Sequence, residues 1–183
     1  MELPDALAVL FRQPIIVLDG KALSRSPWRE VAVPTATMIN EMGVRSAIAQ
    51  GLRGASGGPA PVTSVSHLTG SSHRLFLLSQ EGDQGKPVLV GLLKVGPKDL
   101  FHYTAKGEMR ELRAQFCVLD FYVHEDWQRR GAGLMLFASV LQTEGKVAHE
   151  VAYDVRASPH AARARGQLAR SPVPTLSSPP PAS

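Results

Sequence analysis

The stretch CVLDFYVHEDWQRRGAGLMLF, residues 117–137, passes from an apolar run to a helical pattern through two nearly adjacent glycines with arginines beside them. QFCVLDFYVH (115–124) is almost wholly apolar, the pattern of a central strand buried on both faces. Leu134, Phe137, Ala138 and Leu141 then recur at i, i+3, i+4 and i+7, which predicts a helix. A helix opens with backbone N–H groups that lack intrahelical partners, and its dipole favours negative charge there. Glycines at 131 and 133 remove Cβ atoms and let a phosphate come close to those groups. Arg129 and Arg130 can add charge-assisted contacts at the rim. The chemistry implied is a pyrophosphate lying on a helix N-terminus; the plain alternative is a glycine turn that only joins strand to helix.

Two familiar phosphate loops do not fit. G-x-x-x-x-G-K-[ST] is absent, since Gly85-Lys86 is followed by Pro87, and G-x-G-x-x-G breaks where Leu136 takes the place of the third glycine. Gln128 to Gly133 instead matches Gln/Arg-x-x-Gly-x-Gly/Ala, the phosphate loop of the acetyl-CoA-dependent N-acetyltransferases.

The rest of the chain supplies the surroundings. LAVLF and IIVLD, within residues 7–19, suit strands or a strand and a turn. Residues 24–34, with Pro27 and Pro34, read as a loop. From Thr35 the pattern turns helical, with Ile39, Met42, Ser46 and Ala49 on one stripe, and it stops near Gln50. GLRGASGGPAP (51–61) holds four glycines and two prolines and reads as a loop. RLFLLSQ (74–80) and VLVGLLKVG (88–96) predict an antiparallel hairpin. Residues 97–113, mixed and charged, read as irregular, and EVAYD (150–154) as a short strand.

Length and a 44% hydrophobic composition suit one globular domain with a tail. No acid follows Asp154, and the formal charge of +4 is carried there by Arg156, Arg163, Arg165 and Arg170. The part before it is neutral and has no basic stripe interleaved with aromatics, which argues against nucleic acid. The last 25 residues hold six of the 14 prolines and are expected to be disordered. Cys117 is the single cysteine, which excludes an intramolecular disulfide and a multi-thiolate zinc site. The acidic start MELPDALAVLFRQP is unlike a signal peptide, and no apolar run reaches spanning length, so no membrane insertion and a cytosolic setting are expected.

With VGLLKVGPKDLF upstream and LPDALAVLF near the start, the 117–137 stretch resembles the alpha-tubulin N-acetyltransferases, in which Cys-ϕ-Leu-Asp-Phe-Tyr-ϕ-His-Glu precedes the CoA loop. The resemblance covers residues 1–154. It implies an α/β fold, a GNAT-like mixed sheet flanked by helices. It also implies direct acetyl transfer from acetyl-CoA, the co-substrate, to a lysine of alpha-tubulin in microtubules, by a cytoplasmic, microtubule-associated monomer. No metal is implied. The family's CoA segment falls on Phe121 to Leu134. Phe121, Tyr122 and Val123 would pair with pantetheine amides. His124, Glu125, Asp126 and Trp127 connect them to Gln128, Arg129, Arg130, Gly131, Ala132, Gly133 and Leu134, which would hold the pyrophosphate. The family's essential glutamine falls on Gln50, and its cysteine and aspartate near the reaction centre on Cys117 and Asp154, either of which would be the base.

Each residue also has a plainer reading. Gln50 before Gly51 could simply end a helix. Cys117 alternates with Leu119, Phe121 and Val123 and could be a packing residue. Asp120 needs a partner in an apolar strand and suits structural hydrogen bonding. Asp154 could start a turn, and His124 could be structural. After Asp154 the relatives continue with Arg-Pro-Ser, a Lys- and Leu-rich helix and further strands, whereas this chain reads VRASPHAARARGQLARSPVPTLSSPPPAS. The expectation is therefore a partial domain over 1–154, its sheet incomplete at the C-terminal end, with a tail over 155–183. Two rival readings are a catalytically dead isoform that binds microtubules or partners, and an acetyltransferase for another amine.

Overall fold

The computed structural model describes residues 1–8, 10–82, 85–104 and 107–153. Asp154, and the segment 155–183 expected to be disordered, lie outside the described residues. Among the described residues five strands form one mixed sheet in the order β1-β2-β3-β4-β5: β1 Ile15–Asp19, β2 Arg74–Glu81, β3 Pro87–Tyr103, β4 Met109–Val123 and β5 Ala152–Tyr153. The first four pair antiparallel and β5 runs parallel to β4. A parallel return needs a crossover, and here α5 (Ala132–Glu144) supplies it. The other helices are α1 (Asp5–Ala8), α2 (Gly20–Leu23), α3 (Ala32–Ala49) and α4 (Val65–Thr69).

Each face of the sheet carries its own core. Under α5, Phe76, Leu93, Val95, Val118, Phe121 and Val123 pack against Leu136, Phe137 and Val140. Each such fully buried side chain contributes about 1.5–3 kcal/mol. On the opposite face Leu75, Leu77, Leu92 and Tyr122 meet Met38, Ile39 and Met42 of α3, and Leu3, Leu7 and Phe11 from the N-terminal segment.

The strands IIVLD, RLFLLSQ and the 115–124 run, and the β2–β3 hairpin, form as the sequence predicts, as does a short strand within EVAYD. LAVLF does not form a strand. Pro4 accepts the N–H bonds of Leu7 and Ala8, so the chain turns helical, which also suits the four-residue spacing of the buried Leu3, Leu7 and Phe11. The helix expected from Thr35 begins at Ala32, because Pro34 falls in its first turn, where a missing N–H costs nothing. Its buried stripe is Thr35, Met38, Ile39, Met42, Gly43, Ser46 and Ala47, and Ala49 is exposed. In α5 the buried positions are Ala132, Leu136, Phe137 and Val140, with Leu134, Ala138 and Leu141 only partly covered.

Residues 97–113 are not irregular. β3 runs on to Tyr103 and β4 starts at Met109, as a paired ribbon beyond the sheet. Met109 to Gln115 are all exposed, so neither face selects apolar residues and the alternation that marks a half-buried strand is lacking.

One irregularity decides what β4 presents to each side. Lys94 pairs with Asp120, but the next residue, Val95, pairs with Val118. Leu119 is therefore an extra residue, a β-bulge that shifts the alternation by one. Val118 joins Phe121 and Val123 under α5, and Cys117 moves to the α3 face beside Asp120. The simple alternation of Cys117 with Phe121 and Val123 is corrected by this bulge.

α3 lies so close to the 62–63 segment that a Cβ on Gly43 would sit 1.9 Å from the Thr63 carbonyl oxygen. Gly43→Ala is expected to destabilise by about 2–3 kcal/mol through overpacking, which is roughly 5–10 °C in melting temperature for a chain of this size. An unchanged thermal unfolding curve would show that α3 and Thr63 are not in contact.

Candidate active site

β4 ends in a sequence of caps that aim the chain into α5. The His124 N–H donates to the Val90 carbonyl at 2.8 Å. His124 Nδ1 accepts from the Asp126 N–H at 3.3 Å, which starts the single turn 125–127. Gln128 reaches back, its Nε2 donating to the Val123 carbonyl at 2.8 Å. Arg129 (φ 63°) and Gly131 (φ 85°) are both left-handed. That conformation costs a non-glycine residue about 1–2 kcal/mol, and such strain gathers at functional sites. The Arg130 guanidinium lies 5.6 Å from the Trp127 ring centroid, a cation–π contact that steadies it at the exposed rim.

The helix that follows is uncapped. Gly131 at the N-cap makes no side-chain hydrogen bond to α5, so among the described residues the first-turn N–H groups of Ala132, Gly133 and Leu134 stand at the helix end as orphan donors. The two glycines serve different ends. A Cβ at Gly131 would meet nothing within 4 Å, whereas one at Gly133 would meet the Phe121 ring at 3.1 Å. Gly131 supplies the left-handed turn at an open rim. Gly133 lets α5 lie against β4, so its missing Cβ makes room for Phe121 and not for a phosphate.

Upstream of this cradle, β4 offers backbone. β5 pairs only with Cys117 and Val118, so from Leu119 to Val123 the β5 side of β4 has no strand neighbour among the described residues. The side chains of Phe121, Tyr122 and Val123 are buried in the two cores, and what this edge presents is peptide N–H and C=O. The Tyr122 hydroxyl donates to Glu125 Oε2 at 3.2 Å; burial first, and then the Glu125 charge, push its pKa up to about 12.

On the α3 face stands a buried polar cluster. Asp120, 1% exposed, accepts from Ser46 Oγ at 2.6 Å and from Gln50 Nε2 at 2.8 Å, and also from Thr63 Oγ1. Gln50 Nε2 also donates to Ser46 Oγ at 2.7 Å. Lys94, 3% exposed, pairs across the strands with Asp120, and its Nζ donates to the Val62 carbonyl. Burial pulls the Lys94 pKa down, the Asp120 charge opposes this, and Lys98 adds to the lowering. Cys117 lies on the same face, fully buried, its thiol directed at the Gln115 carbonyl at 3.3 Å. Its neighbours across the sheet are Gly96 and Ala152. The His73 ring covers Gly96, 2.3 Å from where a Cβ would stand. Burial first, and then Lys94, depress the His73 pKa, which favours the neutral imidazole.

The structure therefore brings Gln50 and Cys117 to one face of β4, and sets Gln128 to Leu134 at the end of the same strand. Asp154 lies outside the described residues. Thr63 and Lys94 join the cluster without having been singled out by the sequence reading. The available signal is charge: Lys94 and Asp120 each interrupt an apolar strand, and each needs a partner such as the other.

A family model described as GNAT acetyltransferase, Mec-17, matches residues 4–161. The chain is 40% identical over 164 residues to alpha-tubulin N-acetyltransferase 1 of Danio rerio, covering 87% of this chain and 52% of that protein. It is 35% identical over 161 residues to the alpha-tubulin N-acetyltransferase of Anopheles gambiae, covering 84% and 32%. With that of Tetrahymena thermophila it shares 39% identity over 122 residues, covering 67% and 27%. The chain thus spans about half the length of the first relative and a third or less of the other two.

The two glycines should separate under the same substitution. Asparagine tolerates left-handed backbone, so Gly131→Asn is expected to cost less than about 1 kcal/mol. Gly133→Asn drives a polar group into the Phe121 ring and is expected to cost about 2–4 kcal/mol. Urea unfolding of both variants measures this, and the reverse order would assign the turn to Gly133.

Proposed function

Because the chain belongs to the Mec-17 family of GNAT acetyltransferases, we propose that it moves an acetyl group from acetyl-CoA directly to a lysine side chain of alpha-tubulin in microtubules, as a monomer in the cytoplasm. The observation that carries this reading is the succession of two features along one stretch of chain. The strand edge from Leu119 to Val123, which has no strand neighbour among the described residues, is followed after a short turn by the start of α5, whose N-cap glycine makes no side-chain hydrogen bond.

The residues present fit acetyl-CoA. Its pantetheine arm carries amides, which match the peptide groups along Phe121 to Val123. Its pyrophosphate matches the orphan N–H groups of Ala132, Gly133 and Leu134 and the positive end of the helix dipole. Arg129 and Arg130 stand at the rim, where a guanidinium pairs with phosphate oxygens. When bound, acetyl-CoA supplies an activated acetyl thioester.

The chain's own part is to place and deprotonate the amine. Holding a lysine against an acyl donor in one geometry makes the encounter effectively unimolecular. Gln50 stands in the polar cluster beside β4 and would orient the amine. Asp154 or Cys117 would take its proton. Cys117 pairs with Ala152, two residues before Asp154, which supports their acting at one place. A backbone N–H of β4 at the bulge would stabilise the developing oxyanion. No described helix is long and apolar enough to cross a membrane.

Titration calorimetry with acetyl-CoA, paired with mass spectrometry of polymerised tubulin, tests the proposal. Saturable binding and an acetylated tubulin lysine are expected. Arg129→Ala with Arg130→Ala is expected to weaken binding roughly tenfold, about 1.4 kcal/mol. Absence of binding would remove the cofactor assignment. Binding of acetyl-CoA and of microtubules without acetylation would favour the dead-isoform reading.

A further inference from the structure

We propose that Asp120 is a positioning residue for the reaction: its buried carboxylate, charge-balanced by Lys94, locks the Gln50 amide in one orientation, directly and through Ser46. This rests on the reading that Gln50 works at the reacting centre, and it adds what makes Gln50 competent there.

Gln50 closes α3 as its C-cap residue and is only partly buried. A glutamine there has three rotatable bonds, the last of them a torsion with two nearly equivalent wells, so its amide has no preferred face of its own. Here Nε2 donates to Ser46 Oγ at 2.7 Å and to Asp120 Oδ1 at 2.8 Å, two acceptors that lie together on one side of the amide nitrogen. Ser46 can accept because its own hydroxyl proton goes to Asp120 at 2.6 Å. Turning the amide over would set Oε1 against a carboxylate oxygen, two acceptors face to face in a buried site. Unmade bonds of that kind are costly in a buried site, the more so when a charge is involved. The orientation is therefore single, and Oε1 is the amide atom turned away from the carboxylate. That atom is an acceptor, matched to the N–H of a lysine amine.

The carboxylate is itself held. Thr63 Oγ1 donates to Oδ2 from the far side. Lys94 lies directly across the strand pair, and its Nζ donates to the carbonyl of Val62, next to Thr63. The Val62–Thr63 segment is thus tied to both members of the charged pair, and α3 is pressed onto it at Gly43. Removing a partner from a buried pair is strongly destabilising, because it strands a charge. A milder cut exists at Ser46, which touches Gln50 and Asp120 but bears no charge.

The test uses the full chain with Asp120→Asn, Ser46→Ala, Gln50→Ala and the Asp120→Asn/Gln50→Ala pair. The readouts are kcat and the acetyl-CoA KM on polymerised tubulin, and the Gln50 side-chain amide signals in nitrogen–proton correlation spectra. Asp120→Asn and Ser46→Ala are expected to lower kcat, the former roughly 10- to 100-fold, with KM for acetyl-CoA within about twofold. Once Gln50 is alanine, Asp120→Asn is expected to cost nothing further. A cost of equal size with and without Gln50 would reduce Asp120 to a structural group and overturn the proposal. If the parent chain acetylates nothing, the functional reading fails by itself, and the amide signals still decide the positioning. They are expected to be shifted and slow to exchange in the parent, to collapse to solvent-exposed values in Asp120→Asn and to move part of the way there in Ser46→Ala. Unchanged signals in Ser46→Ala would overturn the proposal, and that variant gives the answer even if Asp120→Asn does not fold.

Discussion

A strand covered on both faces cannot hold a carboxylate unless the surroundings satisfy it, and β4 holds Asp120 in its middle. The surroundings that meet this demand come from separate parts of the chain. Ser46 and Gln50 come from the end of α3, Thr63 from the segment after the glycine loop, and Lys94 from the neighbouring strand. One buried charge thus fixes where α3 ends and how closely the 62–63 segment approaches. It also explains why Lys94 is drawn into the interior although burial lowers its pKa. Gly43 belongs to the same constraint, because any side chain there would push α3 off Thr63.

The bulge at Leu119 divides the work of β4 between its two faces. Without it Cys117 would point under α5, among Phe121, Val123 and Phe137, away from Gln50. With it, thiol and amide share one face, while Phe121 and Val123 remain in the core that seats α5. The same stretch is where β5 stops pairing. Among the described residues the thiol, the buried polar cluster, a strand edge without a strand neighbour and an uncapped helix end therefore lie along one strand. Proximity of that kind follows from register alone, since a one-residue slip exchanges the faces of every side chain beyond it.

Much of this is legible in the sequence, and the reasons for the misses are specific. β4 and α5 are marked by the change from an apolar run to a period of 3.6 around QRRGAG, and α3 by its stripe ending at Gln50. Those signals are local. The bulge is not, because an extra residue exists only relative to the strand opposite. The Asp120 cluster joins residues up to 74 positions apart, as in the Ser46 contact, and no window of sequence contains it. The ribbon beyond the sheet escapes notice for the opposite reason: both faces are solvated at Met109 to Gln115, so burial imposes no pattern. Gly133 reads as ligand space because its near neighbour in sequence, Gly131, has that surrounding. Its neighbour in space is Phe121.

The cradle at the start of α5 is maintained against its local preferences. Arg129 holds a left-handed conformation that L-residues avoid, and the N-cap is a glycine whose missing side chain leaves the first N–H groups uncapped. A serine or aspartate in place of Gly131 could accept from those groups, but it would occupy with its own oxygen the space an anion would take. What offsets the two losses is apolar burial one turn further on, where Leu136, Phe137 and Val140 are 0–1% exposed. Three such side chains contribute more than a missing cap and one strained residue subtract. The helix is therefore anchored by its middle, and its first turn can keep donors unfilled. An anion on those donors would restore the bonds that the turn lacks. Ligand binding and the stability of this corner are the same free energy seen from two sides.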